Sequence, residues 1–409
     1  MRKTLAAVAT ALLVAGAAAP AAFAEGFALT DWSARGAALS GGLVARGGDA
    51  SAVVFNPSAI TELPGTQLMI GFDNVNHRET VIAKPLGLKQ KNGIKWYPVP
   101  HAYATHKYSD AVSFGLAAYA RFGLGCKYNE GWFGQYNLNK VYLQVATLSP
   151  VVAWRVSDTL SLAAGPEISW AYMSLRQAYP TKALIGFDNT MRIYGNGYSL
   201  GLTAGLHWRP LRNLSVGLSY HSRMRLAVSG TTKWSVNVPG TRMTDSGLGG
   251  VMKLPDQFSL GAAWSPTDRL SIEAGVSWYT WSVYKDLDME FKDLHAWQPN
   301  PKHWRDTWSF SVSAEYRPVR ELALRLGYNY ETSPVRAEYA DYMAPTNGRQ
   351  RFSGGIGWKH GSWTVDAAYI YSTCRDLYFR PRTAASGVFP GMTNKTHARG
   401  ILIDVSYAF

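Results

Sequence analysis

The last ten residues of the chain constrain its fold most strongly. Between Gly400 and Phe409, one set of alternate positions is apolar and the other includes polar or small residues: Ile401, Ile403, Val405, Tyr407 and Phe409 against Asp404, Ser406 and Ala408. A period of two places the two sets on opposite faces of a strand. An apolar face for lipid, a more polar face for a lumen and a terminal aromatic are typical of the closing strand of a bacterial outer-membrane barrel.

Residues 1–24 are typical of a secretory signal peptide. Arg2 and Lys3 precede an apolar run over 5–14, and the segment ends in a small-x-small cleavage site. The mature chain is predicted to begin at Glu25. No uninterrupted apolar stretch of about 18 residues follows, so a membrane-inserted form must cross with strands. The alternative at this stage is a soluble exported protein.

The net charge narrows the choice of partners. Loss of the signal lowers the formal charge from +13 to +11, because this segment contains two basic residues and no acid. The basic residues are scattered, and an exported protein rarely meets nucleic acid, so we expect attraction to anionic outer-membrane lipid, including lipopolysaccharide. Cys126 and Cys374 are the only cysteines. They exclude a disulfide scaffold but leave one bridge or two free thiols open.

Fourteen segments alternate between apolar and polar residues and predict an all-β, fourteen-stranded antiparallel transmembrane barrel over 66–409. They are 66–80, 97–108, 111–122, 140–156, 159–175, 191–209, 213–228, 256–266, 269–283, 307–318, 321–332, 349–360, 363–374 and 397–409. Tight turns alternate with long loops between them, as expected for the periplasmic and extracellular sides. A soluble sandwich rarely combines such loops with aromatic strand ends.

Residues 25–65 do not follow the strand pattern. They are rich in glycine and small residues, and yet contain apolar ones such as Leu39, Val53 and Ile60. Side chains of the wall cannot fill the lumen of a fourteen-stranded barrel. A folded N-terminal plug inside the lumen is therefore predicted, and the alternative is a periplasmic tail or linker, which would lack these apolar residues.

Several motifs resemble those of the FadL/TodX-type outer-membrane transporters of long-chain fatty acids and other hydrophobic compounds. Asn56, Pro57 and Ser58 are similar to the Asn-Pro-Ala motif of the N-terminal hatch in that family, with serine in place of alanine. Further blocks follow in the family's order: Gly123 to Gly125, Tyr128, Trp132 to Tyr136, Leu254 to Phe258, Trp278 to Ser282, Asp306 to Trp308 and Tyr330 to Val335.

The resemblance implies a barrel plugged by a hatch, which takes up hydrophobic molecules passively. Extracellular loops would capture the ligand, an internal pocket would hold it, and a hatch rearrangement would release it through a lateral opening. Phe27 lies where the family places an aromatic residue that reaches toward the ligand, although ordinary packing is the alternative. Long-chain fatty acids are the first expectation, aromatic hydrocarbons the second, and the resemblance favours a monomer.

A fatty acid requires an apolar cleft that ends in one or two cations or hydrogen-bond donors. Arg325 and Arg351 are predicted to face the lumen and Arg349 to lie at its mouth, and arginine can hold a carboxylate through paired hydrogen bonds. The alternative is that these arginines neutralise inward-facing acids, which are Glu315, Glu331, Asp366 and Asp404.

Two predicted loops carry unusually many apolar residues. Loop 122–140 contains Trp132 and Tyr136, and loop 228–256 contains Trp234. Such surface either packs against another loop or binds a hydrophobic ligand. Both readings stay open at this stage, with the three aromatic residues as candidate ligand contacts.

The third predicted strand contains Gly115 followed by small residues that include Ala117. Glycine within a strand weakens the packing of its ladder, so a lateral opening is predicted at these two positions.

Two other classes of function are weighed and set aside. A lipid hydrolase would need a serine, a histidine and an orienting polar residue together, but the sequence has no Gly-x-Ser-x-Gly motif. No cysteine or histidine spacing indicates a metal, so neither catalysis nor a cofactor is expected. A general porin is disfavoured because a plugged lumen cannot conduct small solutes freely.

Overall fold

The structure, a computed structural model, describes residues 26–93, 96–381, 383 and 386–409. The predicted signal peptide and the predicted start at Glu25 lie outside these residues. One antiparallel sheet of fourteen long strands closes on itself, because the first strand pairs with the last from Gln67 opposite Ala408 to Ala83 opposite Gly391. The predicted fold class is confirmed.

The wall strands follow chain order. They are β1 Thr66–Ala83, β2 Tyr97–Lys107, β3 Val112–Lys127, β4 Lys140–Arg155, β5 Leu160–Tyr179, β6 Asn189–Leu211, β7 Leu214–His221 with Met224–Trp234, β8 Ser246–Leu254 with Gln257–Thr267, β9 Leu270–Tyr279, β10 Thr307–Val319, β11 Leu322–Glu331, β12 Arg349–His360, β13 Trp363–Cys374 and β14 Gly391–Ala408. The interruptions of β7 and β8 lie side by side, where the Asp256 carboxylate accepts hydrogen bonds from the Arg223 backbone and the Tyr220 hydroxyl.

The fourteen predicted strands are found, but several extend further on the side of the long connections. The predicted strand 269–283 is too long, because it ends at Tyr279 and a 3-10 turn over Trp281–Val283 follows. The predicted loop 228–256 is mostly strand, because Met224–Trp234 pairs with Ser246–Leu254. The predicted loop 122–140 likewise begins as strand, since β3 continues to Lys127. Beyond the hydrocarbon layer the outer face of a strand can be polar, so the alternation that marks a strand in lipid fades there.

The wall separates an apolar outer face from a polar inner face. In β11, Leu326 is 71 % exposed on the outside whereas its neighbour Arg325 is 5 % exposed on the inside. Large outward residues such as Ile356 and Trp358 in β12 continue this belt. An apolar outer belt with a polar interior matches a wall that meets lipid.

The N-terminal segment, residues 26–65, lies against the inner face of the wall. It contains two short helices, α1 Ala34–Ala38 and α2 Ala52–Phe55, and a 3-10 turn over Pro57–Glu62. Ser33 caps α1 by accepting a hydrogen bond from the Gly36 backbone. The apolar side chains of the N-terminal segment pack with inward residues of the wall, including Tyr119 in β3.

The connections hold the remaining short elements. These are α3 Lys182–Ile185, the 3-10 turns Lys84–Leu86, Trp281–Val283 and Lys292–Leu294, and the two- to four-residue strands Leu88–Lys91, Met289–Phe291, Ala296–Gln298 and Tyr378–Phe379. Among the helices of the described ranges, none has both the length and the apolar character needed to cross a membrane.

Candidate functional site

Asn56, Pro57 and Ser58 fasten the N-terminal segment to the wall. The Asn56 side-chain amide donates to Val44 O at 2.7 Å and to Leu206 O of β6 at 3.0 Å. Its carbonyl oxygen accepts from the Ser58 hydroxyl at 2.6 Å, and Pro57 begins the 3-10 turn that follows. Serine in place of the family's alanine therefore adds a hydrogen bond to the motif. Asn56 is fully buried, so each of these contacts satisfies a group that water cannot reach.

Ion pairs join the same segment to the inner face of the wall. Arg35 of α1 contacts Glu315 of β10 at 2.9 Å and Asp49 at 3.0 Å. On the neighbouring strand β9, the Glu273 carboxylate accepts hydrogen bonds from the backbones of Ala45 and Arg46. Charged groups of two adjacent wall strands thus hold the N-terminal segment.

The three arginines predicted as ligand contacts are all buried and all paired with acids. Arg325 Nε lies 2.7 Å from Glu315 Oε2, and Arg325 Nη1 lies 2.5 Å from Asp366 Oδ1. Arg349 contacts Glu331 at 2.8 Å, and Arg351 contacts Asp31 at 2.6 Å. Their role in holding a cargo carboxylate stays a prediction.

Asp404, which the sequence suggests as an arginine partner, has other contacts. One carboxylate oxygen lies 2.8 Å from His101 Nε2, and the other accepts a hydrogen bond from the Ala34 backbone at the start of α1. The prediction of an arginine partner is wrong here, because the carboxylate faces the first turn of a helix, where unpaired backbone N–H groups need acceptors.

A cluster of packed apolar side chains, here called the apolar chamber, lies between the N-terminal segment and the long connections. Phe27 projects into it and is only 1 % exposed. Four aromatic rings, here called the aromatic cage, surround Phe27 with centroid separations of 4.9 to 6.2 Å: Phe122, Trp281, Tyr284 and Trp304. A side chain at Gly26 would collide with the cage, since an added Cβ atom would lie 2.4 Å from Trp304.

One polar atom in the aromatic cage has no partner. The Trp281 side chain is completely buried, and its indole N–H meets no acceptor within the described residues. A buried donor without an acceptor costs about 1 to 3 kcal/mol. Sequence reasoning noted the block that contains Trp281 only as a point of resemblance, and it missed Tyr284 and Trp304 because their connection has no periodic pattern.

The predicted loop aromatics have separate surroundings. The Trp132 ring stacks on the Tyr128 ring with a centroid separation of 4.0 Å, and its indole N–H donates to Leu138 O. Trp234 packs against Tyr179 at 4.8 Å. The Tyr136 hydroxyl donates to Asp188 at 2.7 Å, and this hydrogen bond raises the pKa of Tyr136 above its ordinary value. These contacts bury Trp132 but leave part of Tyr136 accessible.

Two neighbouring cavities open among the long connections, with volumes of about 560 and 550 Å³. Both are lined by the side chains of Gln177, Gln298 and Val388. Tyr136 lines the second cavity, whereas Trp132 and Trp234 line neither of the two. The first cavity is also lined by the acids Glu338 and Asp341, whereas the second has no charged residue among its described lining residues and suits a ligand that is hydrophobic and only weakly polar.

The wall has a break between β2 and β3, here called the wall gap. The two strands pair only from Ala102 opposite Ala118 to the short turn. Beyond that point the N-terminal segment takes the place of β2, since Leu29 N donates to Arg121 O and Gly123 N donates to Phe27 O.

Gly115 and Ala117 lie in the paired part of β3, adjacent to the wall gap. A Cβ atom at Gly115 would lie 2.8 Å from Val53 and 3.0 Å from Ile60, so glycine here allows the N-terminal segment to approach the wall. The lateral opening at these two residues stays a prediction.

Cys126 and Cys374 are both free thiols in the structure. Of the two alternatives that the sequence leaves open, the structure therefore has the unbridged one.

The sequence model of the family described as outer membrane protein transport protein (OMPP1/FadL/TodX) matches residues 15–409. The chain belongs to this family. Members of the OMPP1/FadL/TodX family are outer-membrane transporters of hydrophobic compounds, so the predicted outer-membrane location is confirmed.

Individual relatives are distant but aligned over nearly their whole length. The chain is 21 % identical to outer membrane protein P1 of Haemophilus influenzae over 98 % of each chain, and 20 % identical to the long-chain fatty acid transport protein of Escherichia coli O6:H1 over 86 % of this chain and 87 % of that protein. Among solved structures, a FadL homologue of Pseudomonas aeruginosa gives a TM-score of 0.82 at 20 % identity and covers 94 % of this chain and all of its own. The toluene transporter TbuX of Ralstonia pickettii gives 0.71 at 17 % identity over 94 % and 99 % of the two chains.

Proposed function

We propose that this protein carries hydrophobic molecules with one oxygen-bearing polar end, above all long-chain fatty acids, passively across the outer membrane. The unpaired indole N–H of Trp281 inside an apolar chamber carries this proposal. A carboxyl or carbonyl oxygen of the cargo would accept this hydrogen bond, while its hydrocarbon part replaces apolar contacts in the chamber.

Capture begins in the two cavities among the long connections. Their lining combines apolar side chains with amides that can orient a weakly polar group. Each CH₂ group removed from water contributes about 0.8 kcal/mol, so affinity in such a site rises with chain length. The chamber below offers a larger and drier apolar surface, which draws the cargo inward.

A second buried donor lies deeper along the route. The Nε of Arg351 has no acceptor among the described residues, although its two terminal nitrogens contact Asp31. This donor supports an oxygen-bearing cargo, since a carboxylate that passes the aromatic cage meets a second donor beside the N-terminal segment. Arg325 and Arg349 would contribute only after exchange of their acidic partners.

Release follows from the position of Phe27. The backbone around this residue closes the wall gap, and its ring occupies the aromatic cage. Cargo that displaces the ring from the cage also withdraws the segment from the edge of β3, so the hatch rearranges and the wall opens sideways into the membrane. Gly115 and Ala117 border this proposed opening.

The test compares two conservative substitutions in the aromatic cage. Trp281→Phe removes the indole donor but keeps an aromatic ring, and Trp304→Phe serves as the matched control for the smaller ring. Oleate binding to purified protein is expected to weaken about tenfold in Trp281→Phe, the effect of roughly 1.4 kcal/mol from one lost hydrogen bond, and to stay within twofold of the parent in Trp304→Phe. Equal oleate affinity in Trp281→Phe and the parent would contradict the proposal.

Aromatic hydrocarbons are a second candidate cargo, because the aromatic cage already surrounds the Phe27 ring. The side chain of Phe27 is a benzyl group, so the four rings already hold a ring of toluene size. Toluene has no acceptor oxygen, so its uptake should be unaffected by Trp281→Phe. Uptake of toluene but not oleate by cells that express the parent protein would establish this candidate over the first.

A further inference from the structure

Five basic residues form a continuous row across adjacent strands of the wall. Lys127 of β3 lies directly opposite Lys140 of β4, which lies opposite Arg176 of β5. Arg176 lies opposite Arg192 of β6, which lies opposite Lys233 of β7. Neighbouring strands are about 4.8 Å apart, so this basic row spans about 19 Å.

The basic row faces away from the lumen. Residues opposite each other in an antiparallel ladder share a face, and their chain neighbours point to the other one. The neighbours on the inner side are all at most 4 % exposed: Cys126, Val141, Leu175, Met191 and Thr232. The charged side chains of the basic row therefore project from the outside of the barrel.

Charge compensation within the protein is incomplete. Arg176 contacts Glu130 at 2.7 Å, and Lys233 contacts Asp245 at 2.8 Å. Lys127, Lys140 and Arg192 have no carboxylate partner in the described ranges of the chain. Like charges directly opposite each other destabilise a sheet, so this arrangement calls for an anion from outside the chain.

The position of the basic row along the membrane normal indicates which anion it meets. On β5, Arg176 comes four residues after Tyr172, and on β6, Arg192 comes two residues before the exposed Tyr194. Both steps lead toward the long connections, over about 7 to 13 Å at the rise of a strand. Tyrosines of this kind mark the membrane interface, so the row lies among the headgroups of the outer leaflet.

We propose that the basic row binds the phosphorylated sugar headgroup of lipopolysaccharide. Phosphate oxygens accept charge-assisted hydrogen bonds from the lysine ammonium groups and from the guanidinium of Arg192. A single phosphate spans two neighbouring cations at most, whereas the row extends over five strands. A headgroup with several phosphates therefore fits it better than a phospholipid does. The site lies on the outer wall, apart from the cargo chamber.

The binding test removes the three cations that lack acidic partners. The triple variant Lys127→Gln, Lys140→Gln, Arg192→Gln is compared with the parent for binding of bisphosphorylated lipid A and of phosphatidylglycerol, measured by native mass spectrometry of detergent-solubilised full-length protein. We expect at least a tenfold loss of lipid A affinity in the triple variant, and weak phosphatidylglycerol binding that is the same in both proteins.

A matched control removes three exposed cations at the short turns of the barrel, with Arg212→Gln, Arg320→Gln and Lys359→Gln. Its lipid A affinity should stay within twofold of the parent. Equal losses in both triple variants, or an unchanged affinity in the first, would overturn the proposal. Phosphatidylglycerol binding as tight as that of lipid A would overturn the assignment to a glycolipid.

Folding is monitored by the heat-dependent mobility of unboiled samples in gel electrophoresis. A charge-conserving variant, Lys127→Arg with Lys140→Arg and Arg192→Lys, guards against misfolding of the glutamine variant and should bind lipid A within threefold of the parent. Loss of binding in this folded variant would contradict an electrostatic site. Without glycolipid, at low salt, the glutamine variant should unfold at a higher temperature than the parent because its row no longer repels itself.

Discussion

Replacing Phe27 by alanine tests the link between the aromatic cage and the wall gap. Phe27 is almost fully buried, and its ring contacts all four cage residues. Truncation of a buried phenylalanine to alanine costs about 3 to 5 kcal/mol. Residues 26–30 hold the edge of β3 through two backbone hydrogen bonds rather than through a full strand ladder, so the cost should favour their detachment over unfolding of the barrel.

The free-energy cost of Phe27→Ala determines how much the population of the detached state increases. At about 1.4 kcal/mol for each factor of ten, the detached state should become roughly 10² to 4 × 10³ times more populated. Hydrogen exchange measures this directly, because the Leu29 and Gly123 amides donate across the wall gap. Both should exchange faster by that factor. The backbone N–H of Asn56, which donates to Ala52 O within the N-terminal segment, should keep its exchange rate.

A graded substitution strengthens the test. Phe27→Leu keeps most of the apolar contacts and should accelerate exchange far less than Phe27→Ala. Unchanged exchange at Leu29 and Gly123 in the alanine variant would refute the idea that the ring holds the segment in place. Acceleration of all barrel amides together would show that the ring supports the whole fold instead.

Three further outcomes follow from the structure. Asn56→Ala removes hydrogen bonds to the buried Val44 carbonyl and to the partly buried Leu206 carbonyl, and it should lower the free energy of unfolding by about 1 to 3 kcal/mol in a urea titration, whereas an unchanged midpoint would contradict the anchoring role. Gly115→Leu should push Val53 and its segment from the wall and raise protease cleavage within residues 26–65, and the milder Gly115→Ala should do so less. Burial raises the pKa of Tyr342 from 10.0 to about 12. The protonated phenol therefore stabilises the fold fully below pH 10, and this stabilisation is lost as the pH rises toward 12. Tyr342→Phe should remove this contribution to the fall in melting temperature between pH 10 and pH 12.

Lipid explains why the wall could be predicted from the sequence. It imposes an apolar outer face on every strand within the hydrocarbon, so β11 is found within one residue of its predicted position at both ends. The upper parts of β7 and β8 lie beyond that layer. There the inner face still buries Leu226, Leu248 and Met252, but the outer face need not be apolar, and the pattern predicts a loop.

The candidate site could be predicted only in part. The sequence identifies the lumen arginines and acids, and the short turn after β10 sets the register that places Glu315 opposite Arg325. The aromatic cage is different, since Trp281 and Trp304 come from one aperiodic connection and meet Phe27 only through tertiary packing. No local pattern encodes such a meeting, and the unpaired indole N–H is visible only once all neighbours are in place.

The burial of Phe27 also bears on how the protein can be produced and labelled. Gly26 and Phe27 are both buried against the aromatic cage, so groups joined to this end of the mature protein are expected to disturb the packing of the ring. Fusions at this end are therefore expected to yield a leaky, partly unlatched molecule. A tag inserted in an extracellular connection leaves this end undisturbed.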